Sequence, residues 1–277
     1  MKVTLRNGVE MPKVGLGVYK MTNPEETVRA ITVALETGYR AIDTASFYDN
    51  EKEVGEAIRI SGIPREEIFV TTKVWNDDQG YDETLRAFEK SLSLLGLDYI
   101  DLYLTHWPVP GKFVDTYRAI ERLYEEKLIR VPGVSNHHEK HLDELAKQVN
   151  VLPMVNQIEI SPYLQQPELR HYCQERDIAV TAWSPLGRGQ VLSDPVINQI
   201  AEAHGRTPAQ VILKWHLQVG NIIIPKSVTP SRIKENFDLE GFTLTEEDMQ
   251  LIEELERDGR TGANPGLDNF MDYFNKK

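Results

Sequence analysis

Short apolar runs alternate with amphipathic helical segments from one end of this chain to the other, and that alternation restricts the fold more than any other feature. The strand-like pieces are GLG (15–17), AID (41–43), IFVTTK (68–73), IDLYLTH (100–106), IRVPGVS (129–135), MVNQIEI (154–160), IAVTAWS (178–184) and NIIIP (221–225). Between them lie NPEETVRAITVALETG, NEKEVGEAIRI, YDETLRAFEKSLSLLG, FVDTYRAIERLYEEK, HEKHLDELAKQV, QPELRHYCQERD, DPVINQIAEAHG with PAQVILKWHLQVG, and SRIKENF, all with helical spacing. The first of these carries its own ends: Asn23 as N-cap, Pro24 at the first helical position and Gly38 as terminator.

Eight short strands joined by helices predict parallel pairing, because each parallel step needs a crossover, and right-handed crossovers all wind the same way. The fold class is α/β, and the architecture expected is a single (β/α)8 TIM barrel. A doubly wound sheet is the alternative, but no GxGxxG follows any strand. Ahead of the barrel, VTLRNGVEMPKV reads as a hairpin cap turning at Asn7-Gly8. Behind it, RDGRTGANPGLDNFMDYFNKK reads as an irregular tail, loop-like over 259–277, so one barrel domain accounts for 1–277.

Composition narrows the partners. A formal charge of -12 repels nucleic acid and anionic lipid, so an anionic ligand needs a local basic cluster. No apolar run approaches the roughly 20 residues of a membrane span, and MKVTLRNGVE has no signal core. The single cysteine, Cys173, forms no internal disulfide, which fits a reducing cytoplasm. Nothing in the pattern calls for a coiled coil or a long apolar edge, and a monomer is expected.

Several strands end in a residue that packing alone would not select. Asp43, Lys73, His106, Ser135, Asn136, Gln157, Trp183 and Lys226 all stand at or just past strand ends. In a barrel those ends share the face where active sites sit. Asp43 and Lys73, on adjacent strands, are expected to pair, and Tyr48, five residues beyond Asp43, lies close enough to bend back over the mouth. A phenol titrates near 10, and an adjacent ammonium lowers such a value by about 1–3 units, which would make Tyr48 a usable proton donor. A neutral His106 would donate a hydrogen bond to the same carbonyl oxygen. A barrel aldolase with Lys73 as Schiff-base nucleophile is disfavoured, since a paired Asp43 stabilises the charged amine. His137 and His141, at i and i+4, lack a third ligand and an HExxH pattern, so no metal is expected.

The segments GYRAIDTASFYDNEKEVG (38–55), DLYLTHWP (101–108), GVSN (133–136) and IPKSVTPSRIKENFD (224–238) together resemble the aldo-keto reductase family over nearly the whole chain. Within it, TTKVWNDD, GVSNH, WSPLGRG and KWHLQVG resemble the bacterial 2,5-diketo-D-gluconate reductases. The resemblance implies reversible reduction of an aldehyde or ketone by NADPH, with small carbonyl compounds as partners and Asp43, Tyr48, Lys73 and His106 as catalytic tetrad. It assigns the nicotinamide carboxamide to Ser135, Asn136 and Gln157, ring stacking to Trp183, and further cofactor contacts to Ser184 and Leu186. Lys226, Ser227 and Arg232, where a helix opens after the last strand, supply the local basic cluster, with Arg232 suited to the 2′-phosphate. Glu235 and Asn236 resemble the adenine contacts. Tyr19, Phe47, Trp75 and Trp107, just beyond the first four strands, are expected to frame an aromatic substrate cup. The connections WPVPGKF and SPLGRGQVLSDP are short beside those of animal members, implying a more open pocket. Pro132 interrupts the fifth strand's supply of donors.

Overall fold

The computed structural model describes residues 1–275, and among these an antiparallel hairpin, β1 (Lys2–Thr4) and β2 (Glu10–Pro12), precedes eight parallel strands. The parallel strands are β3 (Leu16–Gly17), β4 (Ala41–Asp43), β5 (Phe69–Val74), β6 (Ile100–Thr105), β7 (Ile129–Ser135), β8 (Val155–Glu159), β9 (Ala179–Trp183) and β10 (Ile222–Ile223). They pair in sequence order from β3 to β10. The sheet closes on itself: Val14 bridges Ile223 in parallel, Gly15 N donates to Ile223 O at 2.8 Å, and Ile223 N donates to Lys13 O at 2.9 Å. A closed (β/α)8 barrel results, with no free sheet edge.

The crossover helices are α1 (Pro24–Thr37), α2 (Glu51–Ser61), α3 (Tyr81–Leu95), α4 (Phe113–Glu125), α5 (Glu139–Ala146), α6 (Pro167–Glu175), α7 (Pro195–His204), α8 (Pro208–Gln218) and α9 (Pro230–Phe237). The ends of α1 are those written in the sequence: Asn23 Oδ1 accepts from Glu26 N at 2.9 Å, and Gly38 terminates the helix at φ 120°. One helix was not anticipated, α10 (Glu246–Glu253), which Thr245 and Asp248 open with a reciprocal capping box. A single turn, α11 (Asp272–Asn275), interrupts the otherwise irregular tail.

Side-chain alternation divides the barrel. Ile42, Val70, Tyr103, Val134 and Val180 pack outward against the helices, whereas Ala41, Phe69, Leu102, Leu104, Val131 and Val155 fill the lower interior. Leu5 and Met11 of the hairpin complete this interior cluster, so the hairpin plugs the bottom. Its turn is looser than the tight one expected: Gly8 alone has positive φ, at 83°, and Asn7 instead donates its amide to Arg130 O at 3.0 Å. Gly133 leaves room for its neighbours, since a Cβ there would lie 2.6 Å from a Leu104 methyl and 3.0 Å from both a Leu102 methyl and the Val155 carbonyl oxygen. Pro132 leaves β7 intact. Its carbonyl accepts from Met154 N at 3.0 Å, so its nitrogen faces the side on which β8 has not yet begun and no donor is missed.

Candidate active site

The two-residue period that stacks Leu102 and Leu104 in the interior carries upward into polar residues at the mouth. Asp43, Lys73, His106, Ser135, Gln157 and Trp183 are the next inward positions on β4 to β9, so one alternation builds both the core and the site. Lys73 is 0% exposed, and its Nζ donates to Asp43 Oδ1 at 2.6 Å, to Thr44 O at 2.8 Å and to Tyr48 Oη at 3.4 Å. The other carboxylate oxygen, Asp43 Oδ2, accepts from Gln157 Nε2 at 2.7 Å. The expected ion pair thus exists and is desolvated on all sides.

Tyr48 reaches the site on a tight turn after β4. Ser46 Oγ donates to Lys73 O at 2.9 Å, and Asp49 takes a left-handed conformation at φ 52°. Asn50 ties the turn to its neighbours, its Oδ1 accepting from Thr44 Oγ1 at 2.7 Å and its Nδ2 donating to Val18 O and Met21 O at 3.0 and 3.2 Å. Asn50 was not singled out in the sequence, where it is simply the first residue of the helical segment NEKEVGEAIRI. The Tyr48 ring remains half-buried at the mouth while its hydroxyl is turned down beside Lys73. His106 completes the cluster edge-on, with ring centroids 5.8 Å from Tyr48 and 5.0 Å from Trp75.

Electrostatics correct one expectation. The Tyr48 phenol is not lowered toward neutrality. Burial of its hydroxyl raises it well above its ordinary value, and Asp43 and then Tyr19 push in the same direction. Lys73 is lowered by burial, against the opposing attraction of Asp43 and Glu51. His106 is held well below its ordinary value by burial, with Lys73 adding repulsion, and is neutral. The mouth therefore presents a protonated phenol beside a neutral imidazole, two neutral donors suited to an oxygen that gains negative charge.

The residues expected to hold a nicotinamide carboxamide form one network. Ser135 Oγ donates to Gln157 O at 2.7 Å, and Asn136 Nδ2 donates to His106 O at 2.9 Å and Ser135 Oγ at 3.1 Å. Trp183 Nε1 donates to Asn136 Oδ1 at 2.8 Å. Asn136 and Ser184 both have positive φ, at 62° and 48°, an uncommon backbone that marks the ends of β7 and β9. Leu186, half-buried, follows on a loop held from below by His216, whose Nε2 lies 3.0 Å from Pro185 O. The loop kinks at Arg188 and Gly189.

On the opposite rim, Lys226 and Arg232 are exposed and, among the described residues, neither is paired with a carboxylate. Thr229, the N-cap of α9, makes no side-chain capping bond, so the first-turn N–H groups face the same locus as those cations. Ser227 is buried beside them, its Oγ accepting from Thr229 N at 3.1 Å. Asn236 is buried, and Glu235 accepts from Thr207 Oγ1 at 2.8 Å. This donor set fits a phosphorylated dinucleotide.

Of the four aromatics expected around the pocket, Phe47 stacks on Trp75 at 3.8 Å and Tyr19 leans on Tyr48 at 4.9 Å. A cleft of about 400 Å³ opens beside the Phe47 and Trp75 pair, lined by Lys52, Asp78 and Arg86 among others, so that pair divides it from His106. Trp107 is only 7% exposed, because the tail covers it with Phe270 and Phe274, ring centroids 6.1 and 5.1 Å away. The histidines after β7 serve structure: His137 Nδ1 lies 2.8 Å from Ser135 O, and His141 Nδ1 accepts from His138 N at the head of α5. Burial first, then neighbouring positive charge, lowers His141 to about 4.

A closed parallel barrel with a buried lysine and carboxylate beneath a phenol and an imidazole at its C-terminal mouth defines a class of barrel oxidoreductases. The comparisons agree. The Aldo/keto reductase family profile matches residues 13–257, and the chain belongs to that family. It is 54% identical over 263 residues to the glyoxal reductase of Bacillus subtilis, covering 95% of both chains. It is 54% identical over 272 residues to the 9,11-endoperoxide prostaglandin H2 reductase of Trypanosoma cruzi, covering 97% of this chain and 95% of that one. A solved mutant of Gox0644 in complex with NADPH superposes with a TM-score of 0.92 at 47% identity, covering 96% of this chain and 97% of that one.

Proposed function

We propose that this protein reduces aldehyde and ketone carbonyls to alcohols with NADPH, reversibly, and that Tyr48 is its general acid. The observation that carries the reading is the fully buried Lys73 Nζ, 2.6 Å from Asp43 and 3.4 Å from the Tyr48 hydroxyl. A carbonyl oxygen entering the mouth meets Tyr48 Oη–H and the neutral His106 ring. Tyr48 gives up its proton as charge develops on that oxygen, and the cationic Lys73 stabilises the phenolate left behind. Asp43 favours the charged form of Lys73, which burial opposes. When bound, the reduced nicotinamide supplies the hydride to the carbonyl carbon. Ser135, Asn136 and Gln157 would orient its carboxamide, Trp183 would stack on its ring, and Ser184 and Leu186 would supply further contacts. Lys226, Ser227 and Arg232 would hold the 2′-phosphate, with Glu235 and Asn236 toward the adenine.

The substrate pocket is walled by Tyr19, Phe47, Trp75 and Trp107, which favours compact carbonyls able to slide between aromatic faces. The glyoxal reductase relative supports small dicarbonyls, and the resemblance to 2,5-diketo-D-gluconate reductases extends the class to keto sugars and sugar acids. No helix among the described residues is long and apolar enough to cross a membrane.

The test is a carbonyl panel assayed by consumption of NADPH and of NADH, with Tyr48→Phe alongside. Loss of the general acid is expected to lower kcat by about 10²–10⁴-fold, with the NADPH Kd unchanged. Near-native turnover by Tyr48→Phe would remove Tyr48 from the reaction.

A further inference from the structure

Glu159 ends β8, two residues beyond Gln157 on the same inward face, and is 3% exposed. Its carboxylate is spent entirely on the C-terminal tail. Oε1 accepts from Thr261 N at 2.7 Å and from the Thr261 hydroxyl, and Oε2 accepts from Gly262 N at 3.0 Å. Gly262 is pressed against Trp183, since a Cβ there would sit 2.6 Å from Cη2 of the indole. Immediately after this clamp, Ala263 is buried against the aromatic cluster of Trp107, and Phe270 and Phe274 close over the same ring. Phe274 also meets Trp75 edge-on at 5.6 Å. Among the described residues the tail has no strand pairing with the barrel; its backbone is held by Gly259 N donating to Tyr163 O at 2.7 Å, by Gly266 O accepting from Lys140 Nζ at 3.1 Å and, between these, by two N–H groups on this buried carboxylate.

We propose that Glu159 is a positioning residue that fixes the tail over the mouth, and thereby sets the far wall of the substrate pocket for carbonyls large enough to reach Phe270 and Phe274. The effect on substrate rests on the reductase reading above; the clamp itself does not. A carboxylate suits the place because it offers acceptors alone, and three donors converge on it. Glutamine keeps the size but turns an NH2 group toward one of those donors. Glu159→Gln therefore leaves a donor facing a donor and loosens the tail without emptying the site.

Two measurements on the full chain test this. By amide hydrogen exchange, residues 260–274 of Glu159→Gln are expected to open about ten-fold or more faster than in the native protein, with β5 to β8 unchanged. In steady state, the KM for a bulky aromatic aldehyde, taken relative to that for methylglyoxal, is expected to rise by about five-fold or more, and Glu159→Asp to recover part of it. Unchanged tail exchange would overturn the clamp. Faster exchange throughout the barrel strands would also overturn it, by assigning Glu159 to global stability. Faster tail exchange with an unchanged KM ratio would overturn the role in specificity. If the native protein reduces no carbonyl, the reductase reading fails while hydrogen exchange still decides the clamp.

Discussion

Replacing Asp43 by asparagine removes the negative charge 2.6 Å from Lys73 Nζ and keeps the side chain's size. The other groups on that ammonium are the Thr44 carbonyl at 2.8 Å and the Tyr48 hydroxyl at 3.4 Å, both uncharged at neutral pH. The remaining carboxylate that acts on it is Glu51, which is bound to Thr72 Oγ1 at 2.6 Å. Two routes are open to the variant. It keeps an uncompensated buried ammonium, at about 3–5 kcal/mol, or Lys73 sheds its proton, at about 1.36 kcal/mol per unit between ambient pH and the unfolded value near 10.4. The cheaper route sets the loss. Deprotonation costs about 6 kcal/mol at pH 6, about 3.3 at pH 8 and about 1.9 at pH 9. The predicted loss of stability is therefore about 3–5 kcal/mol at pH 6, falling to about 2–3 kcal/mol at pH 8 to 9.

The sign follows from linkage. A lysine whose folded value is depressed binds fewer protons folded than unfolded, so the variant gains stability as pH rises. Native Lys73 is itself lowered, so the gap stops closing where the native lysine begins to titrate. Urea unfolding of both proteins at pH 6, 8 and 9 measures the gap. A loss under about 1 kcal/mol at every pH, or one that grows with pH, would refute a buried, charged Lys73 held by Asp43.

Three further outcomes follow from the same geometry. Because burial keeps the Tyr48 phenol protonated well above its ordinary value, carbonyl reduction should stay level from about pH 6 to 9, while alcohol oxidation, which needs the phenolate, rises with pH over the same range. Because His106 is neutral down to acid pH, no fall in kcat/KM is expected near 6.5, and a protonation step there would contradict its assigned state. Arg232→Ala should weaken NADPH binding by about 10–100-fold and leave NADH nearly unaffected, as read by titration of each cofactor. Gly55→Ala should cost about 1–3 kcal/mol in urea unfolding, because its Cβ would meet the Leu95 carbonyl oxygen at 2.1 Å, where α2 touches the end of α3.

The barrel was legible because its information is local and periodic. Alternation of short strands with capped helices specifies parallel crossovers, and inward positions recurring every second residue lead from Leu102 and Leu104 to His106. Polar residues at strand ends accordingly foretold Asp43, Lys73, His106 and Gln157 meeting at one mouth, and the same period, carried one step past Gln157, leads to Glu159. Other features have no local signature. Closure of the barrel through Val14 and Ile223 joins residues more than two hundred positions apart. Asn50 is merely the first residue of a helical segment until three groups from two loops converge on its amide.

The tail shows the limit most clearly. Its Gly- and Asn-rich stretch has no periodicity of its own, so nothing in it could place Phe270 or Phe274; they are positioned by Trp107 and by the Glu159 carboxylate, which lie far away in the chain. The direction of the Tyr48 shift was likewise beyond the sequence. Residue types predict that a lysine approaches a phenol, but whether the charge or the desolvation prevails depends on depth, and here the hydroxyl is buried beside an ammonium whose positive charge the Asp43 carboxylate already balances. Sequence alone determined which residues face the mouth, through the period of the strand; the tertiary structure decided their protonation and the cover above them, because both depend on what surrounds a group in space.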